Sequence, residues 1–368
     1  MLKILLTSDL HLGMGDELSP VPESARLSTF RKICGLAREH DVLLVAGDLF
    51  HRTEATEDCL ATVRAEFEEL RARGVETIMV PGEHECTETG ATADLLAGLG
   101  AAHLFSGDGR DACFTMSHNG QTLWVYGAPA ARRDLLNAVR RNDEPGFHAG
   151  LFHADFRLKD DDTPADVPIL RKSDIRAMQL DFYALGHLHF FKLFKFRNRI
   201  IGACAGSPEA ASAGETGDRF VLSIMVQNDE IYQIKRLAVN SMRLDALNFD
   251  CGETRPDDIL GQLAQRMSPR TVMTCTLTGR RDYDLDQRVL DKLSRAYHTL
   301  VIRDETLPGL RVLINAYCAE KSLRGDFFRL VRERVSGPGI PGSVNADALA
   351  AALTSVSRTS RYVPEEWL

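Results

Sequence analysis

Five short segments of this 368-residue chain carry residues whose types and spacing could do metal chemistry. They are Asp9-Leu10-His11, Gly47-Asp48, Gly82-Glu83-His84-Glu85, the single His153, and Gly186-His187-Leu188-His189. Mixed carboxylate and imidazole donors suit manganese, iron or zinc rather than calcium or an all-oxygen magnesium site. In an extended segment residues i and i+2 point the same way, which predicts Asp9 and His11 on one metal. A turn after a strand would present His187 and His189 to two neighbouring metals. Two such ions about 3.5–4 Å apart clamp a phosphoryl group for in-line displacement. One carboxylate must then bridge them, and Asp48 is the candidate. Gly47, Gly82 and Gly186 are expected to let the backbone turn sharply or approach the site closely. A lone DxH or GHxH is a weak signal, because a single histidine is more often structural. Five segments in this order, each after an apolar run, are read as a site.

Strands and helices must place these segments together. Leu2–Thr7 runs into Asp9, Val42–Ala46 into Asp48, and Glu76–Val80 into Gly82. Between the second and third runs, Thr53–Arg73 carries Leu60, Val63, Phe67 and Leu70 at three- and four-residue steps, one face of an amphipathic helix. This β-α-β-α-β order predicts a mostly parallel sheet under helices, with ligands at the carboxyl ends of its strands. Leu123–Gly127, Ala149–His153, Phe182–Gly186, Ile200–Ala203 and Phe220–Val226 read as further strands. The expected fold class is α/β: a two-sheet α/β sandwich over residues 1–240. Past Val239–Leu244 the strand-end motifs stop. There Asp257–Met267, Leu285–Tyr297 and Asp326–Val335 read as helices, and Thr271–Leu277 and Leu310–Ala316 as strands. Residues 241–335 are thus expected to form a smaller α+β domain. Residues 336–368 read as a linker, Gly337-Pro338-Gly339-Ile340-Pro341-Gly342, followed by an Ala-rich helix at Asn345–Leu353.

Composition excludes several classes. The formal net charge is −8, which argues against nucleic-acid binding through a general positive field. Two local basic stretches stand out, Arg132, Arg133, Arg140 and Arg141, then Lys192, Lys195, Arg197 and Arg199; each reads first as a solvated face. The eight cysteines form no CxxC pair and are read as reduced, mostly buried thiols of a cytoplasmic protein. Cys86, beside the third motif, reads as a small packing residue. No apolar run is long enough to span a membrane. Leu2–Thr7 reads as a buried strand rather than the core of a signal peptide.

These residues resemble the calcineurin-like metallophosphoesterase superfamily, whose motif order is DxH, GD, GNH[DE], H and GHxH. Ser8-Asp9-Leu10-His11-Leu12-Gly13, Gly47-Asp48-Leu49-Phe50-His51 and Ala205-Gly206-Ser207-Pro208-Glu209 are similar to the branch of SbcD-type DNA repair nucleases and YhaO-type proteins. The resemblance covers residues 1–240 and extends weakly into 241–335 through Leu277-Thr278-Gly279-Arg280. It implies that Asp9, His11, Asp48 and His189 hold a first metal, and Asp48, Glu83, His153 and His187 a second. It implies manganese, with iron or zinc as alternatives, and attack on phosphorus by a hydroxide between the metals. His84 would stabilise the transition state or protonate the leaving oxygen, Glu85 would orient His84, and His51 would help position DNA. The second domain would cap the site. An SbcC-type coiled-coil ATPase is the implied partner, and a homodimer through the catalytic domain is a further expectation.

One residue departs from the family pattern. Glu83 stands where the family has Asn. An ionised Glu binds a metal more strongly but cannot donate a hydrogen bond to a phosphate oxygen as an amide can. The leading expectation is a manganese-dependent DNA exonuclease or endonuclease acting in repair. A phosphatase or phosphodiesterase on small nucleotides is the second. A weakly active or non-catalytic scaffold on DNA ends is the third, with Glu83 as its support.

Overall fold

The computed structural model describes residues 1–15, 19–51, 55–86, 95–101, 103–107, 112–157, 163 and 165–336. The chain divides into two compact units, Met1–Leu244 and Asp245–Leu368. The linker and Ala-rich helix expected after residue 336 lie outside the described residues.

In chain order the strands of the first unit are β1 (Leu2–Thr7), β2 (Val42–Ala46), β3 (Glu76–Val80), β4 (His103–Leu104), β5 (Cys113–His118), β6 (Gln121–Ala128), β7 (Phe147–His153), β8 (Asp155–Arg157), β9 (Ile169–Arg171), β10 (Phe182–Gly186), β11 (Lys192–Phe196), β12 (Arg199–Cys204), β13 (Phe220–Gln227) and β14 (Glu230–Ala238). They build two six-stranded sheets, ordered β14-β13-β1-β2-β3-β4 and β11-β12-β10-β7-β6-β5. The middle of each sheet is parallel, while β13, β14, β5 and β11 run antiparallel to their neighbours.

Side-chain alternation explains why the middles of the first runs are apolar at successive positions. Ile4 and Leu6 of β1, with Val42, Leu44 and Ala46 of β2, pack against Leu151 and Ala184 of the second sheet. Leu5, Leu43 and Val45 point to the opposite face, against Phe30, Ile33, Val63 and Phe67. Those residues belong to two covering helices, α1 (Glu23–Ala37) and α2 (Glu57–Ala72). A strand buried on both faces takes apolar residues at successive positions along its covered middle, each contributing about 1.5–3 kcal/mol when fully buried. α2 starts where the Thr56 side chain accepts the Cys59 N–H, and it buries Leu60, Val63, Phe67 and Leu70. Helices at Arg133–Ala138 and Lys172–Met178 cover the far face of the second sheet, where Leu136, Ile175 and Met178 meet Tyr126 and Tyr183. The result is a sandwich of two mixed sheets between helices.

The second unit carries a three-stranded sheet of Arg243–Asp250, Thr271–Thr278 and Thr299–Asp304. Its helices at Pro256–Gln265 and Gln287–Ala296 bury Ile259, Leu263 and Leu293 against Phe249, Met273 and Cys275. One sequence expectation needs correction here. Leu310–Ala316, read as a strand, belongs to a helix at Leu310–Tyr317. Its apolar residues Leu310, Leu313, Ile314 and Tyr317 follow helical steps, and Arg311 N–H is held by Asp282 Oδ1 at 2.9 Å. The strand of this region is Thr299–Asp304, where alternate Leu300 and Ile302 face the core. A short apolar run does not by itself separate the two periods.

Candidate metal centre

All five motif segments converge at the carboxyl ends of β1, β2, β3, β7 and β10, the central strands of the two sheets. The first two turns are zipped by backbone. Asp9 N–H donates to Gly47 O at 3.0 Å and His11 N–H to Asp48 O at 3.0 Å. From α1, the buried Arg26 guanidinium donates to Leu10 O at 3.3 Å and to Ala210 O at 2.7 Å. This explains a charged residue on the core face of that helix.

Asp9 and His11 are not extended, contrary to the sequence expectation. Asp9 (φ 54°), His11 (φ 48°), Asp48 (φ 52°) and His187 (φ 87°) all lie in the left-handed region. Each such non-glycine residue costs on the order of 1–3 kcal/mol, and such residues cluster at functional sites. Tight turns, rather than strand alternation, aim these side chains. Gly82 serves by close approach: a Cβ there would overlap the Asp48 carboxylate. Gly47 combines a positive φ of 85° with contact against the His153 ring.

The donors form two trios joined through Asp48. Asp9, His11 and His189 each offer a ligand atom within 4.8 Å of the other two, and Glu83, His153 and His187 do the same. Asp9, Asp48 and His153 link them at the same range. His11 Nε2 faces His189 Nε2 at 3.1 Å. Asp48 Oδ2 lies 3.9 Å from His11 Nε2 and 3.5 Å from His153 Nε2. His153 is buried, and its Nδ1 donates to Ala46 O at 2.8 Å, which leaves Nε2 turned to the cluster and ties the sheets together. Glu83 Oε2 abuts His153 Nε2, and Glu83 Oε1 lies 3.0 Å from His187 Nδ1.

The electrostatics fit divalent cations. Asp9 and Asp48 are buried, and Asp9 Oδ2 has no hydrogen-bond partner among the described residues. Burial pushes the Asp48 carboxyl well above the usual carboxylate range, with Glu83 and Asp9 adding to it. Burial opposes charge on His153, yet Asp48, Glu83 and Asp9 raise its pKa to about 10. Burial likewise opposes charge on Glu83, but hydrogen bonds with His153 and His187 hold it well below its usual range. Three carboxylates packed around buried imidazole nitrogens favour positive charge at their centre.

His84, Glu85 and His51 lie at the same place in different ways. His84 N–H donates to Asp48 Oδ1 at 3.1 Å, and its ring stands 4.6 Å from His51 and 4.9 Å from His11. Burial lowers the His84 pKa, against the pull of Glu83. His51 Nδ1 is 3.3 Å from His11 Nδ1. Glu85 is 3% exposed and accepts three backbone N–H groups, from Asp48 (3.1 Å), Phe50 (3.0 Å) and Gly82 (3.0 Å). Among the described residues Glu85 makes no side-chain bond to His84; it fixes the loops that carry Asp48 and Gly82 instead. Burial raises the Cys86 thiol pKa, which disfavours a reactive thiolate.

One group escaped sequence reasoning. His189 Nδ1 is bonded to Glu215 Oε1 at 3.0 Å. Glu215 sits beyond Gly206-Ser207-Pro208-Glu209, and only tertiary contact marks it. Glu209 instead braces the unit, accepting Thr29 Oγ1 at 2.6 Å and Met242 N–H at 3.2 Å.

The calcineurin-like phosphoesterase profile matches residues 2–191. The chain belongs to the calcineurin-like phosphoesterase family. Among curated relatives of this phosphoesterase is the uncharacterized metallophosphoesterase YhaO of Bacillus subtilis, 26% identical over 64% of this chain and 60% of its own length. The DNA double-strand break repair protein Mre11 of Haloferax volcanii is 29% identical over 60% of this chain and 48% of its own. The protein of that name from Methanopyrus kandleri is 26% identical over 57% and 49%. The phosphoesterase thus spans between about half and three-fifths of the length of these relatives.

Outside the centre, the two basic stretches differ. Arg132 pairs with Asp134 and Arg141 with Asp181, both at 2.7 Å, and Arg140 donates to carbonyls. Lys192 and Lys195 of β11 are exposed and have no ion-pair partner among the described residues. Beside them Phe190, one residue past His189, is 55% exposed, and Lys192 Nζ lies 5.9 Å from its ring. Among the described residues no helix is long and apolar enough to cross a membrane.

Proposed function

We propose that this phosphoesterase is a manganese-dependent DNA phosphodiesterase of the SbcD type, acting as exonuclease or endonuclease in repair. The observation that carries the reading is the pair of donor trios linked by Asp48. Asp9, His11, Asp48 and His189 would hold one cation, and Asp48, Glu83, His153 and His187 the second. When bound, such cations supply Lewis-acid charge to phosphoryl oxygens and acidify water.

The residues of the chain do the rest. The His84 backbone keeps Asp48 oriented through its 3.1 Å bond to Oδ1. The half-buried His84 imidazole meets the phosphate or the leaving oxygen, as acid or hydrogen-bond donor. His51, beside it, lines the approach of the strand. Glu85 holds the second and third motif backbones in register. DNA is favoured over a small nucleotide by the repair proteins among the relatives and by the exposed Phe190, Lys192 and Lys195 next to the motif. Aromatic rings beside lysines suit a nucleic-acid strand. The second unit is read as the capping domain. An SbcC-type coiled-coil ATPase is the proposed partner, in the cytoplasm, with a homodimer through the first unit.

The test is hydrolysis by the purified chain with manganese. Linear double-stranded DNA should be degraded, and His84→Ala should reduce the rate at least 100-fold, on the order expected for losing an acid or oxyanion donor, while sparing metal binding. Fast hydrolysis of an aryl phosphodiester without attack on DNA would reject the DNA reading. A titration showing no divalent metal binding would reject the enzyme.

A further inference from the structure

The two histidines of Gly186-His187-Leu188-His189 are held by different means. His187 faces Glu83 directly through Nδ1. His189 turns Nε2 toward His11 and hands Nδ1 to Glu215 Oε1 at 3.0 Å. A carboxylate can only accept, so the bond places the ring hydrogen on Nδ1 and leaves the Nε2 lone pair facing the first donor trio.

Glu215 is itself immobilised. Its Oε1 also accepts Ser212 Oγ at 3.1 Å. Its Oε2 accepts Ser207 Oγ at 2.7 Å, Ala211 N–H at 3.2 Å and Arg219 Nη2 at 2.9 Å. Arg219 in turn donates to the carbonyls of Ser207 and His189. The Glu215 side chain is 14% exposed and that of Arg219 9%. The segment between β12 and β13 is thus wrapped around one carboxylate whose remaining contact is a single imidazole of the cluster.

We propose that Glu215 is a positioning residue for the metal centre: it fixes the tautomer and direction of His189, and through it the affinity of one of the two cation sites. The inference rests on the metal-site reading of His189. It assigns a function to the 205–219 segment that none of the five motifs contains. A carboxylate or carbonyl on the outer nitrogen of a ligating histidine raises its basicity and sets its angle, and losing it commonly weakens metal binding about 10–100-fold.

The test uses the full chain, stripped of metal, titrated with Mn²⁺ by calorimetry and by the paramagnetic resonance of free Mn²⁺. Wild type should bind two ions. Glu215→Ala should weaken one site about 10–100-fold and leave the other within about threefold, since Glu83, His153 and His187 do not touch Glu215. Glu215→Gln, which keeps the shape and an acceptor oxygen for Nδ1–H, should lie between the two. The metal-free melting curve separates positioning from folding. Two wild-type affinities in both variants would overturn the proposal. Equal weakening of both sites with a collapsed metal-free transition in Glu215→Gln would overturn it as well, making Glu215 a structural brace. Wild type binding no Mn²⁺ would instead sink the metal reading on which it rests.

Discussion

Glu85 offers the sharpest test of how the turns are held together. Its Oε2 accepts the N–H groups of Asp48 and Gly82, and its Oε1 accepts that of Phe50. In Glu85→Gln the amide oxygen can take the Oε2 place and keep two of the three bonds. The amide NH2 then opposes the Phe50 N–H, donor against donor. One hydrogen bond to a charged acceptor is worth about 1.5–3 kcal/mol. The variant should therefore lose about 2–3 kcal/mol, which is large against a domain stability of about 5–15 kcal/mol. Glu85→Ala strands three buried N–H groups at about 1–3 kcal/mol each and is expected not to fold stably. The assay is urea unfolding of the metal-free chain, followed by Trp124 fluorescence in a Trp367→Phe background so that the first unit alone is read. The glutamine variant should also bind Mn²⁺ more weakly at both sites, because Asp48 is shared. A glutamine variant within about 0.5 kcal/mol of wild type, an ordinary surface effect, would show that this carboxylate does not staple the turns after β2 and β3.

Two further outcomes follow from the same geometry. Glu83→Asn replaces an anion beside His153 and His187 with an amide that can donate to phosphate; turnover on DNA should rise about tenfold, the worth of one such bond, and loss of both metal binding and activity would contradict this. His148 is buried; its Nε2 donates to Glu144 O at 3.0 Å and its Nδ1 lies 3.0 Å from Tyr126 Oη. Burial lowers its pKa, with Arg141 adding and the Glu144 carbonyl, Asp181 and Asp229 opposing. A depressed folded-state value makes its stability contribution complete above the unfolded value near ~6.5 and lost as pH falls through the folded one. Melting temperature should therefore drop between pH 7 and 5 less steeply in His148→Gln than in wild type; equal slopes would show that this ring does not contribute.

Local pattern along the chain determined much of this protein. The runs at Leu2–Thr7, Val42–Ala46 and Phe182–Gly186 are strands with those bounds, because a strand covered on both faces takes apolar residues at successive positions along its covered middle. The five motif segments stood out for the same reason: each interrupts an apolar run with residues that a core would otherwise reject. Where two periods fit one short run, pattern does not decide: Leu310–Ala316 reads as a strand and is part of a helix. Only the tertiary structure decided how the site is aimed and held. Left-handed turns at Asp9, His11, Asp48 and His187 replace the extended geometry that spacing suggested. They are sustained by bonds between residues far apart in the chain, such as His187 N–H to Asp9 Oδ1 at 3.0 Å and His153 Nδ1 to Ala46 O at 2.8 Å. Glu215 belongs to the same class. A carboxylate in a Gly-, Ser- and Ala-rich segment carries no periodic signal, and its meaning appears only when folding sets it 3.0 Å from His189. Periodicity reports which face of an element is buried; the partner of a buried polar atom is fixed by packing between elements, which neighbours in sequence do not encode.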